Sequence, residues 1–177
     1  SPWISDATVL KLYPDSVQID VTERKAFALW QVDGTVSVIS EQGLVLEPYT
    51  PGRFKSLPLI VGKGADKQAK DFIGLLERHP SLRPQVKAII LVSERRWNLR
   101  LADGIDVRLP EKNVEAAVAT LAKLDRDEKL FSKDITAIDL RLPDRLTVRL
   151  SEDAAKARAD MLKEKEKANK KRKANEA

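Results

Sequence analysis

The first 24 residues alternate between apolar and polar side chains, which predicts two short β-strands. Residues 7–13 and 17–23 carry this period of two, and Pro14-Asp15-Ser16 between them is typical of a turn. Because an isolated hairpin is only marginally stable in water, we expect these strands to need a further part of the protein as cover.

The apolar pattern of the following residues predicts further strands and two helices. The first helix spans residues 65–78 and the second begins at Pro110, and each has one apolar face. Those faces consist of Ala69, Phe72, Ile73 and Leu76, and of Val114, Ala117, Val118, Leu121 and Leu124. The predicted strands are residues 27–32, 35–39, 44–46, 59–61, 86–92, 97–101, 105–109, 135–141 and 146–150.

Turn signals such as Asp33-Gly34 separate several of these strands, as expected for hairpins. The order is strands, helix, strands, helix, strands, without a regular alternation of strand and helix. We therefore predict an α+β fold, with a largely antiparallel β-sheet and two main helices.

Residues 152–177 differ in character and form a charged tail. This segment has nine Lys or Arg and six Asp or Glu, so it holds most of the net charge of +5. Its composition favours helix locally but lacks a clear apolar stripe, so we predict a helical or disordered tail. Binding of nucleic acid or acidic lipid through residues 170–173 is less favoured than simple solvation of this tail, and we expect no nucleic-acid partner.

The composition excludes several kinds of chemistry. The chain has no cysteine and only one histidine, His79, so disulfides, thiol catalysis and Cys-type zinc sites are excluded. No complete catalytic motif is present, and His79 precedes a proline at a helix end, where it meets the helix dipole. We therefore expect a protein that is not an enzyme and that needs no cofactor or metal.

One glycine-rich turn leaves an alternative open. Gly62-Lys63-Gly64 lies between a predicted strand and a predicted helix, where glycines commonly allow phosphate binding. The dinucleotide pattern fails at Lys67, where a third glycine is required. A nucleotide-binding enzyme domain that uses the Gly62-Gly64 turn is therefore the alternative function.

The last predicted strand has the properties of an exposed sheet edge. Residues 146–150 alternate apolar and polar side chains, and the segment contains no protective proline. We expect this strand to be suited to accepting a β-strand from a partner.

Several short motifs, taken in order, resemble one protein family. They are Pro2-Trp3-Ile4, Tyr13-Pro14-Asp15, Phe27-Ala28-Leu29-Trp30, Leu57-Pro58-Leu59-Ile60-Val61-Gly62, Arg95-Arg96-Trp97-Asn98 and Ile138-Asp139-Leu140-Arg141. Together they are similar to the periplasmic region of the FtsQ/DivIB family of bacterial cell-division proteins. The resemblance covers about residues 2–150.

The resemblance implies a division of the chain into parts. Residues 1–24 would be the last two strands of a truncated POTRA domain, residues 25–151 a β domain, and residues 152–177 the tail. The whole protein would be anchored in the inner membrane by one N-terminal helix that is absent from this chain, with the present region in the periplasm.

The resemblance also implies a function and a site. In this family the β domain is a non-enzymatic scaffold that recruits FtsB, and with it FtsL, to the division septum by strand addition at its last strand. The corresponding residues are Arg141, Leu142, Leu146, Thr147, Val148, Arg149 and Leu150. Leu142 and Leu150 stand where some relatives carry aromatic residues.

Overall fold

The computed structural model describes residues 1–175, with side chains described through Lys170. It contains a two-stranded sheet and a nine-stranded sheet. The strands are β1 (Ile4–Leu12), β2 (Ser16–Glu23), β3 (Ala26–Val32), β4 (Thr35–Ser40), β5 (Val45–Pro48), β6 (Leu59–Val61), β7 (Val86–Val92), β8 (Arg96–Leu101), β9 (Asp106–Arg108), β10 (Ile135–Asp139) and β11 (Thr147–Leu150). The α-helices are α1 (Ala65–Glu77), α2 (Val114–Glu128) and α3 (Glu152–Asn175).

The nine-stranded sheet has the order β11-β10-β9-β8-β7-β6-β3-β4-β5. Five of its neighbouring pairs are antiparallel, and the pairs β3-β6, β6-β7 and β9-β10 are parallel. The predicted α+β fold with a mostly antiparallel sheet is therefore confirmed. The helices α1 and α2 form the crossovers of the parallel pairs β6-β7 and β9-β10, whereas β4, β5 and a loop connect the parallel strands β3 and β6.

Both crossover helices pack on the same face of the sheet. Nearly all such connections are right-handed, and β6-α1-β7 and β9-α2-β10 cross the sheet in the same direction. One apolar core therefore fills the space between these helices and the sheet, and the predicted helix faces lie against it. Its fully buried members include Ile60, Leu76, Ile89, Leu99, Leu101, Leu109, Leu121 and Ile138.

The predicted start of α2 is wrong. The helix begins at Val114, because Asn113 before it has a left-handed backbone with φ of 56°. The strand predicted at residues 135–141 also ends early, at Asp139, and β11 begins at Thr147.

The predicted N-terminal hairpin is present as β1 and β2, an antiparallel pair separate from the large sheet. Every residue of both strands is exposed. The hairpin therefore gains little of its stability from the core of the nine-stranded sheet.

The charged tail forms the helix α3, so of the two predicted states the structure shows the helical one. The hydroxyl Oγ of Ser151 accepts a hydrogen bond from the Ala154 N–H at 3.2 Å and caps the first turn. In the basic run 170–173, Lys170 is exposed, and the side chains of residues 171–173 lie outside the described residues. Among the described helices, none is long and apolar enough to cross a membrane.

Candidate functional site

β11 is the outermost strand on one side of the nine-stranded sheet, and within residues 1–175 it pairs only with β10. The register places Thr147 opposite Asp139, Val148 opposite Ile138, and Arg149 opposite Ala137. The other side of β11 is thus a free sheet edge.

The hydrogen bonds at its end show which backbone groups of β11 face this edge. The Ser151 N–H donates to the Asp134 carbonyl at 3.1 Å, and the Thr136 hydroxyl donates to the Arg149 carbonyl at 3.4 Å. Backbone groups in an antiparallel pair alternate in direction, so those of Arg149 and Thr147 face β10. The N–H and carbonyl groups of Val148 therefore face outward.

The side chains of this segment divide between the two faces of the sheet. Leu146 and Leu150 are partly buried against the main core. Val148 lies on the same face, opposite the buried Ile138, and keeps 38% of its surface exposed. Thr147 and Arg149 lie on the opposite face and are exposed.

The predicted residue Arg141 is held by its neighbour Asp139. The Arg141 Nη2 donates to Asp139 Oδ2 at 2.6 Å, its Nε lies 2.9 Å from Oδ1, and its backbone N–H donates to Oδ1 at 3.1 Å. Arg108 adds a longer ion pair to the same carboxylate at 3.7 Å. The side-chain hydrogen bond from Arg141 is the main cause that lowers the pKa of Asp139 below its usual value of 3.8.

A pocket of about 350 Å³ lies where β10 ends and β11 begins. It brings together three of the predicted residues, Arg141, Leu142 and Thr147, while Leu146 and Leu150 face the core instead. Asp139 and Arg145 also line it, and neither is among the residues predicted from the sequence. The signal that could have identified Asp139 is its position two residues before Arg141, which places both on one face of the strand predicted at residues 135–141.

The opposite edge of the sheet is formed by β5, and it differs from β11. β5 contains Pro48, which has no N–H to donate, and its register with β4 is broken by an irregularity between Val38 and Ile39. Proline and irregular pairing both hinder the addition of another strand. Of the two edges, β11 is the one without proline.

The Gly62-Gly64 turn, on which the alternative nucleotide-binding function depends, is packed against other parts of the protein. A Cβ atom on Gly62 would lie 2.5 Å from the Leu91 carbonyl oxygen, and φ at Gly62 is +113°. The Gly62 carbonyl accepts a hydrogen bond from Trp30 Nε1 at 2.9 Å, and Lys63 forms an ion pair with Glu94 at 3.5 Å. Packing between β3, β6 and β7 explains this glycine without a phosphate ligand.

His79 lies just past the end of α1 and is half-buried. Its N–H donates to the Leu76 carbonyl, and its carbonyl accepts from the N–H groups of Leu82 and Arg83. Within residues 1–175, no three acidic or histidine side chains are grouped so that they could hold a metal ion. The backbone role of His79 in ending α1 is sufficient to explain its position.

Comparison with known proteins gives consistent matches. The family model "Cell division protein FtsQ/DivIB, C-terminal" matches residues 28–141. The chain is 63% identical to "Cell division protein FtsQ" of Bradyrhizobium diazoefficiens over 167 residues, which are 94% of this chain and 49% of that protein. It is 41% identical to the protein of the same name from Agrobacterium fabrum, over 98% of this chain and 55% of that protein.

Among solved structures, the chain matches the major extracytoplasmic domain of the trans isomer of the cell-division protein DivIB from Geobacillus stearothermophilus. That similarity has a TM-score of 0.39 and 20% sequence identity, and it covers 60% of this chain and 98% of that chain. The present chain spans about half the length of the Bradyrhizobium and Agrobacterium proteins.

Proposed function

Since this chain belongs to the FtsQ/DivIB family of cell-division proteins, we propose that it is a non-enzymatic scaffold which recruits a partner by accepting a β-strand at β11. The partner we propose is FtsB and, through it, FtsL. The observation that carries this proposal is the free edge of β11, where the Val148 backbone groups face outward.

The comparison of the two sheet edges supports β11 over β5. An unpaired edge must be covered or protected, or it will pair with other chains. β5 carries Pro48, whereas β11 carries none. A scaffold that binds through one edge gains specificity when its other edge is unsuitable.

The pocket beside β11 supports a side-chain contribution to partner choice. Main-chain hydrogen bonds of an added strand give affinity, and pockets for alternate side chains give specificity. Leu142 is 53% exposed at this pocket and offers an apolar contact. Arg141 is already paired with Asp139, so we expect it to position this carboxylate and to contribute less than a free cation would.

The N-terminal hairpin supports the proposed division into domains. Its apolar residues Val9, Ile19 and Val21 lie on one face and are 48–63% exposed. A face of this kind needs cover in the whole protein. We propose that residues 1–24 are POTRA strands, that residues 25–151 are the β domain, and that the whole protein is anchored in the inner membrane with this region in the periplasm.

Single proline substitutions along β11 test strand addition. Val148→Pro removes an outward N–H, so the protein should fold while its affinity for the periplasmic segment of FtsB falls by about fivefold or more. The reason is that a lost hydrogen bond with its partner left unpaired costs about 1–3 kcal/mol. Thr147→Pro and Arg149→Pro remove N–H groups that bond to β10, so both should lower the melting temperature. Calorimetric titration and thermal unfolding measure the two effects.

Val148→Ala is the matched control, because it shortens the side chain and keeps the N–H. It should bind much more tightly than Val148→Pro. If Val148→Pro folds and binds FtsB as well as Val148→Ala does, strand addition at β11 is wrong and the partner surface lies elsewhere.

A further inference from the structure

The N-terminal hairpin is joined to the nine-stranded sheet by few contacts. All residues of β1 and β2 are exposed, and in the described part of the chain these strands pair only with one another. Burial of strand residues therefore does not determine how the hairpin is oriented. The residues just before β1 and just after β2 must do so.

Trp3 makes the main apolar contact at this junction. It is half-buried against the small cluster of Leu29, Val38 and Leu46, on the face of the sheet opposite α1 and α2. Its ring stacks on Phe54, with centroids 6.2 Å apart and planes at 23°. Aromatic pairs in this geometry add to the stabilisation that burial gives.

Phe54 is in turn fixed to the sheet. The Arg53 guanidinium lies over its ring, 4.8 Å from the centroid, and Arg53 Nη1 forms an ion pair with Glu47 of β5 at 3.1 Å. A continuous series of contacts thus runs from Trp3 through Phe54 and Arg53 to the edge strand of the large sheet.

Arg24 ties the two ends of the hairpin together beside Trp3. Its backbone N–H donates to the Trp3 carbonyl at 2.7 Å, and its guanidinium donates to the carbonyls of Pro2, at 2.9 Å, and Ile4. Both chain segments at the base of the hairpin therefore move with Trp3.

A cleft of about 730 Å³ lies beside this junction. Ser5, Glu23 and Lys25 line it on the hairpin side, and Glu41, Asp66 and Lys67 line it on the side of the sheet. Each side carries acidic and basic side chains and the space between them is open, so the cleft leaves room for the hairpin to swing.

We propose that Trp3, seated on Phe54 and held by Arg24, is a clamp that sets the orientation of the hairpin. The clamp lies at the β3-β4-β5 end of the sheet, and β11 is the opposite edge. With strands about 4.8 Å apart, these edges are about 38 Å from one another. The clamp joins the hairpin and β11 in one rigid unit. Any part of the whole protein that binds the hairpin therefore also sets the orientation of β11.

Distance measurement between two spin labels tests this proposal without any partner. The chain has no cysteine, so Asp15→Cys at the hairpin turn and Lys112→Cys before α2 provide two unique exposed sites. The hairpin turn lies about 27 Å from the base, at about 3.3 Å per residue, so a swing of about 20° displaces it by about 9 Å. Trp3→Ala should therefore broaden the distance distribution by several ångströms, while the unsubstituted protein gives a narrow one.

Phe54→Ala should broaden the distribution in the same way, because it removes the other half of the contact. Trp3→Phe keeps an aromatic ring and should stay narrow. Tyr13→Ala removes an exposed aromatic residue of the hairpin, 84% accessible, and should change nothing. A narrow distribution in folded Trp3→Ala, or a broad one in the unsubstituted protein, overturns the clamp and leaves the proposed role of β11 untouched.

Discussion

Gly62→Ala is the substitution for which the structure predicts the largest effect at the turn between β6 and α1. Gly62 has φ of +113°, and an added Cβ would lie 2.5 Å from the backbone oxygen of Leu91. That oxygen belongs to the central strand β7, so it is not free to move aside. The substitution should therefore destabilise the fold through backbone strain and through a steric clash.

Gly34→Ala separates these two causes. Gly34 also has a positive φ, +77°, but a Cβ there would have no heavy atom within 4 Å. A left-handed backbone costs a non-glycine residue about 1–2 kcal/mol, which both variants share. Overpacking adds about 1–3 kcal/mol, and only Gly62→Ala incurs it.

We expect a loss of about 1 kcal/mol for Gly34→Ala and about 3 kcal/mol for Gly62→Ala. For a chain of this size, each kcal/mol lowers the melting temperature by about 2–4 °C, so the two variants should differ by about 4–8 °C. Urea unfolding followed by tryptophan fluorescence, together with thermal melts, measures both quantities. Equal losses would show that Gly62 is not required by its packing on Leu91, and would restore the nucleotide-binding alternative.

Two further predictions concern residues next to β11. Arg141→Ala should raise the pKa of Asp139, because it removes the hydrogen bond that lowers this pKa most. Since the folded-state pKa is depressed, the stabilisation from Arg141 should be present above the usual pKa of 3.8 and lost as the pH falls through the folded-state value. NMR titration of the carboxyl group and unfolding at a series of pH values measure these two effects. Ser151→Ala removes the acceptor of the Ala154 N–H and should destabilise α3 by about 1 kcal/mol, seen as a loss of helical circular dichroism that Ser5→Ala does not produce.

The sequence predicted the helices and strands well where one face is buried. The stripe of α1 was recognisable because Phe72, Ile73 and Leu76 recur at helical spacing and are all buried. The start of α2 was not recognisable, because Pro110 suits a loop as well as a first helical turn. The left-handed backbone of Asn113 places the first residue of the helix at Val114 instead. The pattern of apolar and polar residues does not reveal a left-handed backbone at a single residue.

Strand partners were harder to predict than strands. β3 pairs in parallel with β6, with Leu29 opposite Leu59, although thirty residues separate them in sequence. Alternation indicates which face of a strand is buried, but carries no information on a distant neighbour. The same limit applies to the site, because the ion pair of Asp139 with Arg108 requires β9 and β10 to be adjacent.

For the strand addition proposed at β11, the order of the strand before a partner binds matters, and the contacts at its ends provide that order. A strand at a free edge tends to fray, which would add an ordering cost to strand addition. Here the Ser151 N–H bonds to Asp134 while its hydroxyl caps α3, so the helix holds the end of β11 against β10. At the two ends, Leu146 and Leu150 are packed on the core. The Val148 backbone between them is thereby kept extended with its outward groups unpaired, which is the arrangement that the proposed strand addition requires.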